Sequence, residues 1–302
     1  MGIAWPVCSD PLDSVTASER MMGESAPMSQ ALPSPGSWPW PPVVRASVGW
    51  HLLALAAALF VPGALPWAIG AVVLNHVLIT AAGLTPRSSL LGPNVTRLPA
   101  ASAARGEVAI TIDDGPDPEV TPQVLDLLDA HGQRATFFCI AERVREHPAL
   151  AREIVARGHS IQNHTARHRH NFSLLGPRGF HAEIERAQQL LQEVTGQRAS
   201  CFRAPAGLRN PFLAPVLHRL GLVLVSWTRR GFDTRERDAA VVLARLTKNL
   251  KAGDILLLHD GHAARTAAGR PVLLEVLPPL LERLRTDGLH AVTLPQALTT
   301  PA

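Results

Sequence analysis

The chain has 302 residues, 46% hydrophobic, 18% charged and 5% aromatic, with a net charge of +4. That composition excludes a wholly disordered chain and suits a globular domain joined to membrane-inserted segments. The positive excess is carried by Arg, no Lys/Arg run reaches the length of a basic patch, and aromatics are few, which argues against a nucleic-acid partner. An anionic membrane surface or a phosphate-bearing substrate suits the excess better.

Residues 1–42 are rich in Pro, Ser, Met and Gly without periodicity, and are expected to form a disordered N-terminal segment. They lack the basic stretch followed by an apolar core that marks a signal peptide. Residues 43–61 and 65–83 are nearly uncharged apolar runs separated by Pro62, Gly63 and Ala64. Each approaches the ~20 residues needed to cross the hydrocarbon, so 43–83 is expected to hold two transmembrane helices in a hairpin. His51, Asn75 and His76 are awkward in lipid and keep an interfacial or re-entrant element as the alternative. Arg45 precedes the first run, Arg87, Arg97 and Arg105 follow the second, and the turn has no Lys or Arg, which places both ends in the cytoplasm by the positive-inside rule.

Residues 84–106 read as a linker, and from 107 the pattern becomes strand–helix alternation to residue 302. Strands are expected at 108–112, 135–140, 160–163, 200–203, 222–227, 255–259 and 291–294, and helices at 121–130, 148–157, 178–194, 211–220, 238–250 and 272–286. Pro falls near helix starts and Gly at helix ends. Repeated βα units build a parallel sheet, either a barrel or a doubly wound sheet, with the site at the C-terminal strand ends. Cys8, Cys139 and Cys201 are odd in number and widely spaced, which favours reduced thiols, buried for the latter two, and leans towards a reducing compartment.

Chemistry concentrates at those strand ends. The run 109–116 is a buried strand ending in Asp113 and Asp114, with Gly115 and Pro116 to bend the chain so that both acids serve one site. Adjacent carboxylates repel and call for a cation. His164 and His168, four apart after the 160–163 strand, can reach one ion if the segment turns helically, and two His with one carboxylate leave open positions, as in a catalytic zinc site. The same donor set also suits a non-haem Fe(II) oxygenase, but the usual His-x-carboxylate spacing is missing at the motif.

This set of residues resembles the polysaccharide deacetylase family, the NodB-homology or carbohydrate esterase family 4 domain, over about 107–297. The family's Thr-Phe-Asp-Asp-Gly is similar to Thr111-Ile112-Asp113-Asp114-Gly115, and its His-Ser/Thr-x-x-His to His164–His168. Its Arg-x-Pro is similar to Arg203-Ala204-Pro205, followed by Ala206 where Tyr is common, and its Leu-x-Leu-His-Asp to Leu256–Asp260. The resemblance implies a distorted (β/α) barrel of about seven parallel strands, here behind an N-terminal transmembrane hairpin. It implies metal-dependent hydrolysis of the amide of an N-acylated, first of all N-acetylated, amino sugar in a glycan or a lipid-linked saccharide. Asp114, His164 and His168 would hold the metal, zinc first, with Co2+, Mn2+ or Ni2+ as alternatives. Asp113 would be the base, Arg203 would hold Asp113 ionised, and His259 would be the acid. The backbone N–H near Ala206 would serve the oxyanion, and Trp227 and Leu257 would shape the acyl pocket.

One departure stands out. The family often has an Asp a few residues after a Trp, pairing with the acid His, and Arg230 stands about where that Asp is expected. Either Asp233 takes the place from a shifted loop, or Arg230 binds a substrate phosphate or carboxylate and lowers the His259 pKa. A membrane-anchored carbohydrate-binding protein with a degenerate site is therefore the second reading. The spans place the protein in a membrane, taken as a bacterial inner membrane, with the catalytic domain on the cytoplasmic side.

Overall fold

The computed structural model describes residues 38–299. The expectation for 1–42 falls mostly outside that range, as does Cys8. Two 19-residue helices open the described chain, α1 (Pro42–Phe60) and α2 (Leu65–Gly83). Both are long and apolar enough to cross a membrane, and most of their surface is uncovered. They pack together as a hairpin whose turn contains Gly63 at φ +76°. Their polar groups are satisfied within the pair: Asn75 Nδ2 donates to Ser47 Oγ at 2.8 Å, Trp50 Nε1 donates to Ala71 O, and the His51 and His76 rings meet edge to face. This answers the cost that those residues would otherwise carry in hydrocarbon.

The rest alternates strands with helices: α3 (Ala100–Ala104), β1 (Glu107–Asp113), α4 (Thr121–Ala130), β2 (Ala135–Cys139), α5 (Ala141–Glu146), α6 (Pro148–Ala156), β3 (Ser160–Asn163), α7 (Pro177–Thr195), β4 (Cys201–Phe202), α8 (Leu213–Arg219), β5 (Val223–Leu224), β6 (Arg229–Arg230), α9 (Ala239–Thr247), β7 (Ile255–His259), α10 (Val272–Thr286), β8 (His290–Ala291) and α11 (Leu294–Thr299). Seven strands run parallel in the order β5-β4-β3-β2-β1-β7-β6 and curve into an open half-barrel, with β8 added beside the start of β1.

Besides the short helices α3 and α5, which were not expected, several elements differ from the sequence expectation for physical reasons. β6 consists of two Arg and carries no apolar signal. The 222–227 run shortens to Val223–Leu224, because Val225 pairs with Val95 and Ser226 N donates to Val95 O. Residue 294 begins α11 rather than ending a strand. Residues 84–106, read as a linker, pack on the domain. Val95 bridges to Val225 at the β5 edge and Arg97 to Asp254 just before β7, so this strap runs across the gap that the half-barrel leaves open.

The hairpin is fastened to the βα domain as well. Arg209 N donates to Gly83 O at the end of α2, and a Cβ on Gly83 would meet Arg209 O at 2.2 Å. Only glycine permits that approach. Val44, Ala82 and Leu91 form a small apolar cluster at the same junction.

β1 is buried along its whole length, as expected for a central parallel strand. Its period of two sorts its side chains. Val108, Ile110 and Ile112 point outward among Val124, Leu128, Leu277 and Leu281 of the covering helices, while Ala109 points inward with Ile255, Leu257 and Trp227. Thr111 and Asp113 follow the inward parity. On β7, Leu256 and Leu258 go outward and Leu257 inward, which sends His259 inward too. The sheet thus delivers Asp113 and His259 to one end of the half-barrel.

Candidate active site

At the C-terminal strand ends a cavity of about 140 Å³ is lined by Asp113, Asp114, His164, His168, Ala206, Trp227, Arg230, Leu257 and His259, together with Gly207 and Thr234. Arg203 and Asp233, the two remaining residues expected from the sequence, stand buried directly behind it.

The bend that turns Asp114 into the cavity lies at Asp114 itself, which sits at φ +77°, ahead of the Gly115–Pro116 peptide. Asp tolerates that left-handed conformation better than most residues. Gly115 is needed for a different reason: a Cβ there would strike the Asp260 carboxylate at 2.3 Å. The two histidines also arrive by another route than a helical turn. Residues 164–168 are a loop with Thr165 and His168 at positive φ. It is held by local bonds: Thr165 N donates to Asn163 Oδ1, and His168 N to Thr165 Oγ1. Polar side chains that bond their own backbone outcompete a helix here.

Arg203 anchors Asp113. Its guanidinium is 1% exposed and donates from Nη1 to Asp113 Oδ1 at 2.7 Å and to Thr111 Oγ1, from Nε to Val225 O and from Nη2 to Ser226 O, with the Phe138 ring 4.1 Å beneath. Only one Asp113 oxygen is engaged in that ion pair. The other, Oδ2, lies 3.9 Å from His164 Nε2. Burial pushes the Arg203 pKa down, with the Asp113 carboxylate opposing it.

The second acid faces the imidazoles. His164 Nε2 and His168 Nε2 lie 3.3 and 3.4 Å from Asp114 Oδ1. His164 Nδ1 is 2.8 Å from Arg203 O, and since a carbonyl only accepts, Nδ1 carries the proton. In neutral His164 the bare Nε2 then points a lone pair at Asp114 Oδ1, a buried oxygen with no hydrogen-bond partner. Lone pairs converging on one point are what a cation satisfies, and Asp114, His164 and His168 offer ligand atoms within 4.8 Å of one another. The donor set therefore fits a divalent metal. Burial opposes charge on Asp114, but the His164 and His262 imidazoles hold it well below the usual carboxylate range. Burial likewise opposes charging His164, while the neighbouring carboxylates raise its pKa; proton and metal compete for the same nitrogen.

Asp233 settles the geometry around His259. Its Oδ1 lies 2.9 Å from His259 Nδ1 and its Oδ2 accepts from His259 N at 2.7 Å, with Asp233 fully buried. The expectation that Arg230 lowers the His259 pKa is overturned. Burial disfavours the imidazolium, but Asp233, aided by Asp113 and Asp114, outweighs it and pushes His259 up to about 9. Arg230 turns instead to Trp227 and Phe232, its guanidinium carbon 5.4 and 4.9 Å from their ring centres.

One neighbour escaped the sequence reading. His262 Nδ1 lies 3.0 Å from Asp114 Oδ2, the oxygen turned away from His164 and His168, and Arg143 Nη2 approaches its Nε2 at 3.5 Å. Its only sequence signal is its place three residues beyond His259. The free thiols Cys139 and Cys201 are buried, and burial pushes both up, Cys201 to about 11, so neither is a nucleophile at neutral pH.

A parallel half-barrel that gathers an Asp/His/His cluster, an ion-paired Asp and a carboxylate-bound His at its strand ends has the architecture of the family 4 carbohydrate esterases. Residues 100–225 match the family described as polysaccharide deacetylase. The chain is 34% identical over 193 residues to a peptidoglycan-N-acetylglucosamine deacetylase of Bacillus cereus, covering 63% of this chain and 87% of that one. It is 33% identical over 201 residues to a chitooligosaccharide deacetylase of Azorhizobium caulinodans, covering 63% and 94%. The solved structure of the Bc1960 peptidoglycan N-acetylglucosamine deacetylase superposes with a TM-score of 0.62 at 26% identity, over 69% of this chain and 94% of that one. The chain belongs to the polysaccharide deacetylase family.

Proposed function

We propose that the protein is a metal-dependent N-deacetylase: it hydrolyses the amide of an N-acylated, first of all N-acetylated, amino sugar in a glycan or lipid-linked saccharide, giving a free amine and acetate. The observation that carries this reading is the unpartnered Asp114 Oδ1 facing two imidazole nitrogens, in one cavity with Asp113 and His259. Asp114, His164 and His168 hold the metal, zinc first, with cobalt, manganese or nickel as alternatives. When bound, the cation polarises the amide carbonyl and acidifies water.

The chain's own groups do the rest. Asp113 Oδ2, free of the ion pair, takes the proton from the attacking water, while Arg203 holds the carboxylate aimed. The backbone N–H at Ala206 supports the developing oxyanion. His259, protonated and backed by Asp233, donates to the departing amine. Trp227 and Leu257 enclose the acyl group. The two apolar helices anchor the enzyme in a membrane, and the positive-inside rule favours the cytoplasmic face. With Asp233 bound to His259, Arg230 no longer argues for the binding-only alternative.

The test is acetate release by the full-length, metal-reconstituted protein from N-acetylglucosamine oligomers, peptidoglycan fragments and a lipid-linked N-acetyl sugar. Release that a chelator abolishes and added zinc restores is expected. Release that persists after the metal is stripped would sink the metal-dependent reading.

The pH profile tests the acid. His259 donates a proton only below its raised pKa, so activity should decline as pH rises through about 9. Removing the carboxylate with Asp233→Asn takes away the largest contribution opposing burial and leaves only Asp113 and Asp114 to raise His259, so the alkaline limb should move towards neutrality by more than about one pH unit. An unmoved limb in that variant would assign it to another group.

A further inference from the structure

A larger cavity, about 470 Å³, adjoins the active site and shares Trp227 and Arg230 with it. Its wall carries four guanidinium groups, Arg87, Arg229, Arg230 and Arg245, and no Asp or Glu. Two of these are already committed to acids: Arg229 to Asp254, and Arg245 to Glu236. The other two have no carboxylate partner among the described residues. Arg87 donates only to the Thr228 carbonyl, at 3.3 Å. Arg230 is held over Trp227 and Phe232, and its Nε is buried without a hydrogen-bond partner. Aromatic stacking fixes the direction of a guanidinium without using its N–H donors. A concave wall with two uncompensated cations, one of them pre-oriented beside the acyl pocket, is built for an anion with several oxygens.

The position narrows the choice of anion. Thr85, Pro86 and Arg87 line this cavity, and Thr85 is only two residues beyond Gly83, where α2 ends. Two residues span at most ~7 Å, so the cavity sits at the level where the hairpin leaves the membrane. A sugar in the cavity lined by Asp113, Asp114 and His259 would lie beside this trough, which shares Trp227 and Arg230 with it, and a substituent on that sugar could extend into the trough.

We propose that the trough is a phosphate subsite, and that the amino sugar presented to Asp113 and His259 is carried on a phosphate ester, with Arg87 and Arg230 holding the phosphate oxygens. The inference rests on the deacetylase reading and gives its substrate a class. Two sources supply this chemistry, a long-chain lipid phosphate and a nucleotide, and they are separated by experiment.

Full-length zinc-loaded protein in phosphatidylcholine nanodiscs is given polyprenyl-phosphate-linked N-acetylglucosamine, UDP-N-acetylglucosamine or the neutral N-acetylglucosamine tetramer, and acetate is followed. The kcat/KM of a phosphate-bearing substrate is expected to exceed that of the tetramer by about tenfold or more, as loss of one charged hydrogen bond would cost. In Arg87→Gln, an exposed position where folding is not at stake, the ratio of the two kcat/KM values should fall by about tenfold through KM. Preference for the lipid or for the nucleotide substrate names the source. A preferred tetramer, or an unchanged ratio in Arg87→Gln, overturns the subsite. If no substrate releases acetate, the deacetylase reading fails separately. Calorimetric titration of the same discs with UDP-N-acetylglucosamine and with the lipid phosphate sugar then decides the subsite. Binding weakened by Arg87→Gln upholds it, and no binding of either overturns it.

Discussion

Alanine at position 164 is expected to empty the metal site. His164 is the most constrained of the three proposed ligands: it is 2% exposed, its Nδ1 is spent on the Arg203 carbonyl, and its Nε2 faces Asp114 Oδ1. Losing even a residue that only orients a ligand typically costs 10–100-fold in metal affinity, so loss of this ligand should lower affinity and acetate release by more than about a hundredfold. Metal content per chain, measured beside activity, decides it. A variant retaining stoichiometric metal would show that the ligands lie elsewhere. The substitution also leaves Arg203 O without its donor, so a circular dichroism spectrum must accompany the measurement.

Asp113→Asn should separate metal binding from turnover. The amide fills the same volume but has no basicity, and removal of a positioned base typically lowers kcat by about 10²–10⁴-fold. Metal should remain, since Asp113 is not among the proposed ligands. A second effect follows from burial. Arg203 would keep its charge in an interior where Asp113 is the carboxylate bonded to it, and breaking a buried pair in this way costs about 3–5 kcal/mol. The variant should therefore melt at a visibly lower temperature while still binding zinc. Normal turnover would place the base elsewhere; an unchanged melting temperature would mean that another group offsets Arg203.

Much of this was legible in the sequence because strand parity is rigid. Once 108–112 and 255–259 are strands, Asp113, Leu257 and His259 have no choice of face. Loop-borne groups were less legible. The structure brings His164 and His168 together beside Asp114, but on a loop in place of the expected helical turn, which the Asn163 and Thr165 side chains pre-empt. Counting residues from Trp227 put Arg230 opposite His259. The chain reverses at Phe232, φ +64°, after Gly231 has squeezed against Val242, and this brings Asp233 back to the imidazole. Nothing in a residue count reports such a reversal. His262 depends on a turn of the same kind.

The strap across residues 95–97 has a consequence for reach. Bonded at one end to the β5 edge and at the other to the start of β7, and backed by the Gly83–Arg209 bond that ties the end of α2 to the segment between β4 and α8, it leaves little slack between the two apolar helices and the cavity at the strand ends. An enzyme on a long leash patrols a sphere of polymer. If α1 and α2 span a membrane as proposed, this domain works at a fixed height above the bilayer, on molecules that diffuse to it in two dimensions. Encounter then scales with the substrate's surface density in that membrane rather than with its concentration in the surrounding volume.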